Sequence, residues 1–521
     1  MLTVVPFLVL LASWFDPQLE IWSHLYSYVL KSVIKNTFIL SFCVAFFVSV
    51  IGISLAWITA IYRFPGCSFF SWALILPLAI PSYVLATVKV GLYDYSGPIQ
   101  IFLRTIFGED LLLPSIRSIW GAVVVFSLVL YPYVYVLTRQ AFSSQGTRCI
   151  EVSQTLGFSR VRSFFKLILP MSRPWWIAGI TLALMELLAD FGTVSIFSID
   201  TFTTAIYKSW IGFFNFSVAS QLASLLAIFV LVILLIEQRG REKRKFNSIG
   251  GKIKLKTHEK IKLKGFKSIF AFSWCALIFL FAFAIPLFQL TFWAIKAIPQ
   301  DLNLKYFNYI YNSLILSIIS SLFVVTIGFW MAYIKRNDNS LFTSVITRIS
   351  TIGYAFPGMV LSVGVFIPIA WLDIKIGSVL NFFNINNFSL IKGSIFVMLL
   401  AIISRFLVLG FEPINSSMQR ISISQEQAAR CLGFNKFQVF RNLFLPMLKS
   451  GWIGAGLLVF VEVMKEMPIT LMMRPFGWDT LAVRVFEMSS EGMWERAALP
   501  SVAIVLTGLI PLIFFQREME K

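Results

Sequence analysis

The chain has 521 residues, of which 58% are apolar, 16% aromatic and only 13% charged. A soluble chain carries about 25% charged residues, so this balance excludes a soluble multidomain enzyme, a disordered protein and a fibrous one. The net charge of +19 would suggest nucleic acid in a soluble protein. In a polytopic membrane protein it reports Lys and Arg gathered in cytoplasmic loops, with no nucleic acid implied.

A transmembrane helix needs about 20 apolar residues. The start of the chain, Leu2 to Phe15, holds a shorter apolar run. It lacks the basic flank and small-residue cleavage site of a signal peptide and is counted as a first span. Apolar segments follow near 36–62, 69–92, 119–138, 174–198 and 218–236. A second set lies near 269–293, 312–334, 343–372, 391–410, 451–472 and 496–515. The expectation is an all-α polytopic membrane protein of about twelve transmembrane helices. Segment 237–268 reads as a basic linker, with Lys and Arg throughout Arg241 to Lys267 against Glu242 and Glu259. Arg63, Lys335-Arg336 and the loops 139–173 and 411–450 are also basic. In that arrangement all of these fall on one side, the cytoplasm, with both termini. The five cysteines show no C-x-x-C pair, and His24 and His258 lie in different loops. A disulfide framework, a zinc site and a His-based centre are thereby disfavoured.

The second half repeats the first at an offset of 276 residues. Asn36-Thr37-Phe38-Ile39-Leu40-Ser41 matches Asn312-Ser313-Leu314-Ile315-Leu316-Ser317, Gly52 meets Gly328, Pro81 meets Pro357 and Glu186 meets Glu462. Each repeat, 1–236 and 269–521, is expected to hold six spans. An even number makes the repeats parallel, related by an axis along the membrane normal. That symmetry favours a transporter over a membrane enzyme.

Away from the apolar runs, loop one reads Glu151-Val152-Ser153-Gln154-Thr155-Leu156-Gly157-Phe158, with Leu169-Pro170 following. Loop two reads Gln427-Ala428-Ala429-Arg430-Cys431-Leu432-Gly433-Phe434, with Leu445-Pro446 at the same distance. Each pattern predicts a short amphipathic helix ended by a left-handed glycine. A second short helix follows, its proline marking re-entry into the membrane.

These loops resemble the coupling loop of ABC importer permeases, E-A-A followed by glycine and an I-x-L-P ending, and the six-span unit extends the resemblance over nearly the whole chain. Loop one keeps Glu151 but has Val152-Ser153 for Ala-Ala. Loop two keeps Ala428-Ala429 but has Gln427 at the Glu position, with Glu426 one residue earlier. The chain has no G-x-x-x-x-G-K-[ST] phosphate loop; Gly250-Gly251-Lys252 lacks the first glycine and the Ser/Thr. The resemblance therefore implies separate ABC ATPase subunits, two of them, that use ATP and dock on Glu151, Leu156, Gly157, Pro170, Gln427, Ala428, Ala429, Leu432, Gly433 and Pro446. It also implies an extracytoplasmic solute-binding protein, and a non-enzymatic chain with no cofactor, set in the lipid of a bacterial inner membrane.

Ionisable groups inside a membrane carry a functional hypothesis by default. Glu186 and Asp190, and Glu462 and Glu466, are each spaced i, i+4, which predicts a shared helix face. The repeat sets the two pairs opposite each other. Four carboxylates along one pathway suit a hard multivalent cation as transient ligands; helix-to-helix pairing, with Lys465 neutralising a neighbour, is the other reading. Met185-Glu186-Leu187-Leu188-Ala189-Asp190-Phe191-Gly192 and Glu462-Val463-Met464-Lys465-Glu466-Met467-Pro468 also resemble the fused permeases of ferric-iron importers, which implies Fe³⁺ as cargo. Thiamine permeases share the fused architecture, and an ion-coupled secondary transporter would also use a repeat and buried acids.

Overall fold

The computed structural model describes residues 4–108, 114–143, 150, 153, 155, 157–242, 260–338, 340–382 and 393–520. Among the described residues the chain is mostly helical, with one two-residue parallel strand pair, Tyr62–Arg63 with Ile261–Lys262. Among the described residues seven helices are long and apolar enough to cross a membrane, and up to eleven if each of four bent pairs counts as one span. The expected first span is one of these pairs: Val4–Phe15 turns by 98° into Leu19–Tyr28. A second, Cys67–Ala79 with Ser82–Phe107, turns by 91° at Pro81. Proline forces the residue before it out of the helical region, and Ile80 is extended (ψ 115). The repeat does the same at Pro357, where Phe356 is extended (ψ 135).

Two compact units divide the chain. One comprises 30–201 and 228–295. Its centre is the packing of Leu30–Ile61 on Ile119–Ala141. Gly52 permits it, since a Cβ there would lie 2.7 Å from Val134 Cβ. The Tyr131 and Tyr135 hydroxyls, buried in this contact, donate to the Leu74 and Ser71 carbonyls at 2.9 and 3.0 Å. The helix Phe266–Phe279 joins the unit through Phe272 against Phe70 and Phe279 against Phe69. The end of the basic segment docks here too. Leu263 N–H donates to the Arg63 carbonyl at 2.9 Å, and Lys260 Nζ to the Thr59 carbonyl at 2.7 Å.

The other unit comprises 1–29, 202–227 and 296–521. Leu304–Asn337 packs on Ile395–Met418. Gly328 and Gly410 meet at the crossing; a Cβ on Gly410 would lie 2.7 Å from the Val324 carbonyl oxygen. The chain's first helix, Val4–Ala12, belongs to this unit. Phe7 stacks on Phe356 with ring centroids 5.7 Å apart, and Pro6 lies against Gly364. Within the same unit Trp14 Nε1 donates to Ser224 Oγ at 2.7 Å, and Trp22 Nε1 to Gln221 Oε1.

Candidate functional site

The loop of the second repeat starts as a helix, Ile423–Cys431, because Ser422 and Gln425 form a reciprocal capping box. It stops at Gly433, whose φ of +84° belongs to the left-handed region that side chains disfavour. Phe434 N–H then bonds the Ala429 carbonyl at 3.2 Å and Gly433 N–H the Arg430 carbonyl at 3.0 Å. This is the Schellman pair that closes a helix end. Loop one ends the same way: Gly157 has φ +78° and Phe158 N–H bonds the Ser153 carbonyl at 3.0 Å. Glu151 and Leu156 lie outside the described residues.

In both loops the second helix passes through a π-helical turn, Phe164–Ile168 and Phe440–Phe444. Pro170 and Pro446 come next, exposed, and the chain then bends by 68° and 66° into the following helix. Proline cannot supply the next helical N–H, and a π-turn is a local way to absorb such a misfit.

The inner face of loop two is continuous with the unit's core. Ala429, Val439 and Phe444 pack with Phe329, Phe411 and Ile414. The outer face leaves Gln427, Ala428, Leu432 and Gly433 exposed, Leu432 by 76%. Glu426 turns inward, its carboxylate 3.4 Å from Arg336 Nη2 at the end of Leu304–Asn337, and accepts from Arg430 Nη2 at 2.6 Å. The displaced acid is therefore an internal strut. Glu426→Gln leaves the Arg336 guanidinium without its carboxylate and is expected to cost about 3 kcal/mol. Exposed Gln427→Ala stays within about 0.5 kcal/mol. Thermal melting of the purified variants checks both.

The four intramembrane acids depart from the expected geometry. Arg173–Ala189 ends one residue before Asp190, which is extended (ψ 126), and Lys449–Lys465 ends one residue before Glu466 (ψ 108). Neither pair shares a helix face. Asp190 and Glu466 instead cap the helix that restarts beyond the break. Thr193 N–H donates to Asp190 Oδ1 at 2.7 Å and Ile469 N–H to Glu466 Oε1 at 3.0 Å. An acid held there satisfies orphan N–H groups and the positive end of the helix dipole.

The two repeats complete this cap differently. Ser82 Oγ donates to Asp190 Oδ2 in the first. In the second, Arg405 Nη1 donates to Glu466 Oε2 at 2.8 Å, both side chains buried. Ser82 corresponds to Gly358 at the repeat offset, and Arg405 to Val129. A Cβ at Gly358 would collide with Arg405 Nη1, so the glycine makes room for the guanidinium. Half-buried Glu462 pairs with Lys465 Nζ at 3.3 Å. Glu186 is half-buried on the last turns of Arg173–Ala189. The acids of the first repeat and those of the second belong to different units. Among the described residues no group of three or more His, Cys, Asp or Glu side chains is placed to hold a metal ion.

Sequence reasoning missed Ser82, Gly358 and Arg405. Arg405 carried a signal, as an ionisable residue inside an expected span. It also missed the role of Asn36 and Asn312, whose side chains donate to the Asp200 and Asp479 carbonyls, each at 3.0 Å.

Comparison with known proteins places these features in a wider set. The family described as "Binding-protein-dependent transport system inner membrane component" matches residues 49–237 and again 324–519. An Fe(3+)-transport system permease protein of Haemophilus influenzae, FbpB 2, is 26% identical over 94% of this chain and 90% of its own length. A putative ferric transport system permease protein of the same organism, FbpB 1, is 24% identical over 86% of this chain and 71% of its own. The sulfate transport system permease protein CysT of Salmonella typhimurium is 31% identical over 31% of this chain and 56% of its own length.

Proposed function

Since the chain belongs to the family of binding-protein-dependent transport system inner membrane components, we propose that it is the permease of an ABC importer that carries ferric iron. An extracytoplasmic binding protein delivers the ion, and separate ATPase subunits drive the passage by alternating access. The observation that carries the reading is the paired loops, each closed by a left-handed glycine and the same Schellman bond, in a chain the family matches twice. An exposed knob continuous with the helix core transmits force between a docked partner and the membrane helices. Both termini and the basic segment then lie in the cytoplasm, in a twelve-span topology of two parallel repeats.

Iron as cargo is supported by relatives named for ferric transport that align along most of both chains. The sulfate permease aligns over about a third of this chain, which supports the architecture and leaves the cargo open. Gly157→Val combined with Gly433→Val forces a β-branched residue into a left-handed conformation at both knobs, at about 1–2 kcal/mol each. The expected outcome is at least about a tenfold drop in energised uptake of radiolabelled iron, weakened ATPase association and unchanged amounts of chain in the membrane. Uptake and association both at the wild-type level would refute the coupling role. Wild-type uptake of thiamine without iron would refute the cargo.

A further inference from the structure

Leu304–Asn337 turns an apolar stripe outward through Ile318, Leu322, Trp330 and Ile334, all exposed, and closes on Lys335 and Arg336. An apolar stripe that ends in an aromatic ring and two bases marks where a spanning helix meets the membrane–water boundary. Beside that end lies a cavity with a volume of about 410 Å³, within the range of about 300–1,000 Å³ that ligand clefts occupy. Trp330, Tyr333, Phe437 and Phe440 line it together with Glu426 and Arg430, all in the unit containing 296–521. On the proposed importer orientation, on which this inference rests, the cavity lies at the cytoplasmic boundary.

The charge in the cluster does not cancel. Glu426 is held between two guanidiniums, with Arg336 Nη2 at 3.4 Å and Arg430 Nη2 at 2.6 Å. Arg336 is largely covered and lies over the Phe444 ring at 4.9 Å, so it serves the carboxylate alone. Arg430 is different. Its side chain is 55% exposed, and of the five N–H donors a guanidinium carries one goes to Glu426. An accessible guanidinium beside an aromatic cleft suits a phosphodiester with hydrocarbon behind it.

The first unit shows what this surface packs against when protein covers it. Ser54, which corresponds to Trp330 at the repeat offset, accepts from Trp274 Nε1 at 3.1 Å. Phe70, which corresponds to Ile346, is buried against Phe272. Trp274 and Phe272 both belong to Phe266–Phe279, so one helix covers the two positions. In the second unit Trp330 is 56% exposed and Ile346 45%. The ionic cluster has no counterpart either: Arg336, Glu426 and Arg430 correspond to Ala60, Ile150 and Gln154. The repeat that leaves this surface open is the one that has placed a cation at its edge.

We propose that the cavity binds an anionic phospholipid of the cytoplasmic leaflet, with its phosphate on Arg430 and an acyl chain along Trp330 and Phe437. Lipid then seals in the second unit what a helix seals in the first, and the second coupling helix, Ile423–Cys431, is attached to the bilayer through Arg430.

The test uses the full chain in nanodiscs of equal phosphatidylglycerol and phosphatidylcholine, released into detergent, with retained lipid counted by native mass spectrometry. Wild type is expected to retain phosphatidylglycerol about fivefold over phosphatidylcholine, the effect of one basic group at a membrane surface. Arg430→Gln is expected to lose that preference and Arg430→Lys to keep most of it. Trp330→Ala is expected to lower retention of both lipids about threefold, with the preference unchanged. Both positions are exposed, so the fold survives each change. Equal retention of the two lipids by wild type, or an unchanged preference in Arg430→Gln, overturns the site and leaves the importer reading standing. Release of phosphatidylglycerol by inorganic phosphate, with Trp330→Ala retaining it as wild type does, would make the cavity a free-anion site and overturn the lipid role. Unchanged lipid retention with lost ATPase association in the same variants would give the cavity to that subunit instead. Orientation is read separately at Cys431, exposed beside Arg430, in a chain whose other four cysteines are changed to serine. A membrane-impermeant maleimide is expected to label it in inverted vesicles alone. Labelling in right-side-out vesicles would overturn the leaflet assignment together with the importer's orientation, even where the phosphatidylglycerol preference is kept.

Discussion

Arg405→Met is expected to remove about 3–5 kcal/mol of stability, enough to eliminate most folded chain, because it leaves the Glu466 carboxylate buried without its guanidinium. Glu466 caps the helix restarting at Pro468 and joins that cap to Ile395–Met418 through Arg405. Both ends of the link are buried, so no water replaces what is lost. The first repeat contains the alternative. Asp190 is capped the same way and tied across by the Ser82 hydroxyl, with Val129 standing where Arg405 would be. Gly358→Ser alone is therefore expected to destabilise, since its Cβ meets Arg405 Nη1 and lies 2.7 Å from Glu466 Oε1. Gly358→Ser, Arg405→Val and Glu466→Asp together recreate the first repeat's solution in the second and are expected to recover most of the lost stability. Fluorescence-detected size exclusion after a temperature ramp reads the whole series. A triple variant no better than Arg405→Met would show that the two caps are not interchangeable.

Glu186→Gln together with Glu462→Gln is expected to lower ferric-iron uptake about tenfold while the chain still assembles and melts normally. Neither residue is a cap. Glu186 lies on the last turns before the break and is half-buried, and Glu462 is half-buried with a single-point contact to Lys465 at 3.3 Å. Asp190 and Glu466 have their oxygens committed to Ser82, Thr193, Arg405 and Ile469. Asp190 is tied to Ser82, Glu466 to Arg405, and Lys465 meets Glu462 at 3.3 Å; the proposal of a cation contact is put to the test at Glu186 and Glu462. Equal uptake by the double variant and wild type, with equal amounts in the membrane, would end it.

Much of this was legible before any coordinates. Gly157 and Gly433 announced helix ends because only a residue without a side chain sits comfortably at positive φ. Pro170 and Pro446 marked the bends because proline cannot continue the hydrogen-bond ladder. What escaped was non-local. The i, i+4 reading of Glu186 and Asp190 assumed a helix running through both, but the chain breaks between Ala189 and Asp190. The carboxylate finds better partners in a new N-terminus than in a continued helix, and no spacing rule reports that choice. Arg405 escaped for another reason. Its repeat partner is Val129, so a comparison that rewards matching residues passes over a substitution that makes the repeats chemically different. Glu426 was visible, but its inward turn toward Arg336 depended on a helix end 90 residues earlier in the chain.

The membership of the two compact units has a consequence for how the protein is made. Residues 1–29 and 202–227 belong with 296–521, whereas 228–295 belong with 30–201. The ribosome finishes the first repeat, including the Ser224 and Gln221 partners of Trp14 and Trp22, before Phe356, the partner of Phe7, is synthesised. The helix Val4–Ala12 must wait in the bilayer, without the partner of Phe7, for about 340 residues of further translation. Order of synthesis and order of packing are thus uncoupled. Joining the repeats by a covalent segment ensures that the helix waiting for its neighbour always finds the one on its own chain.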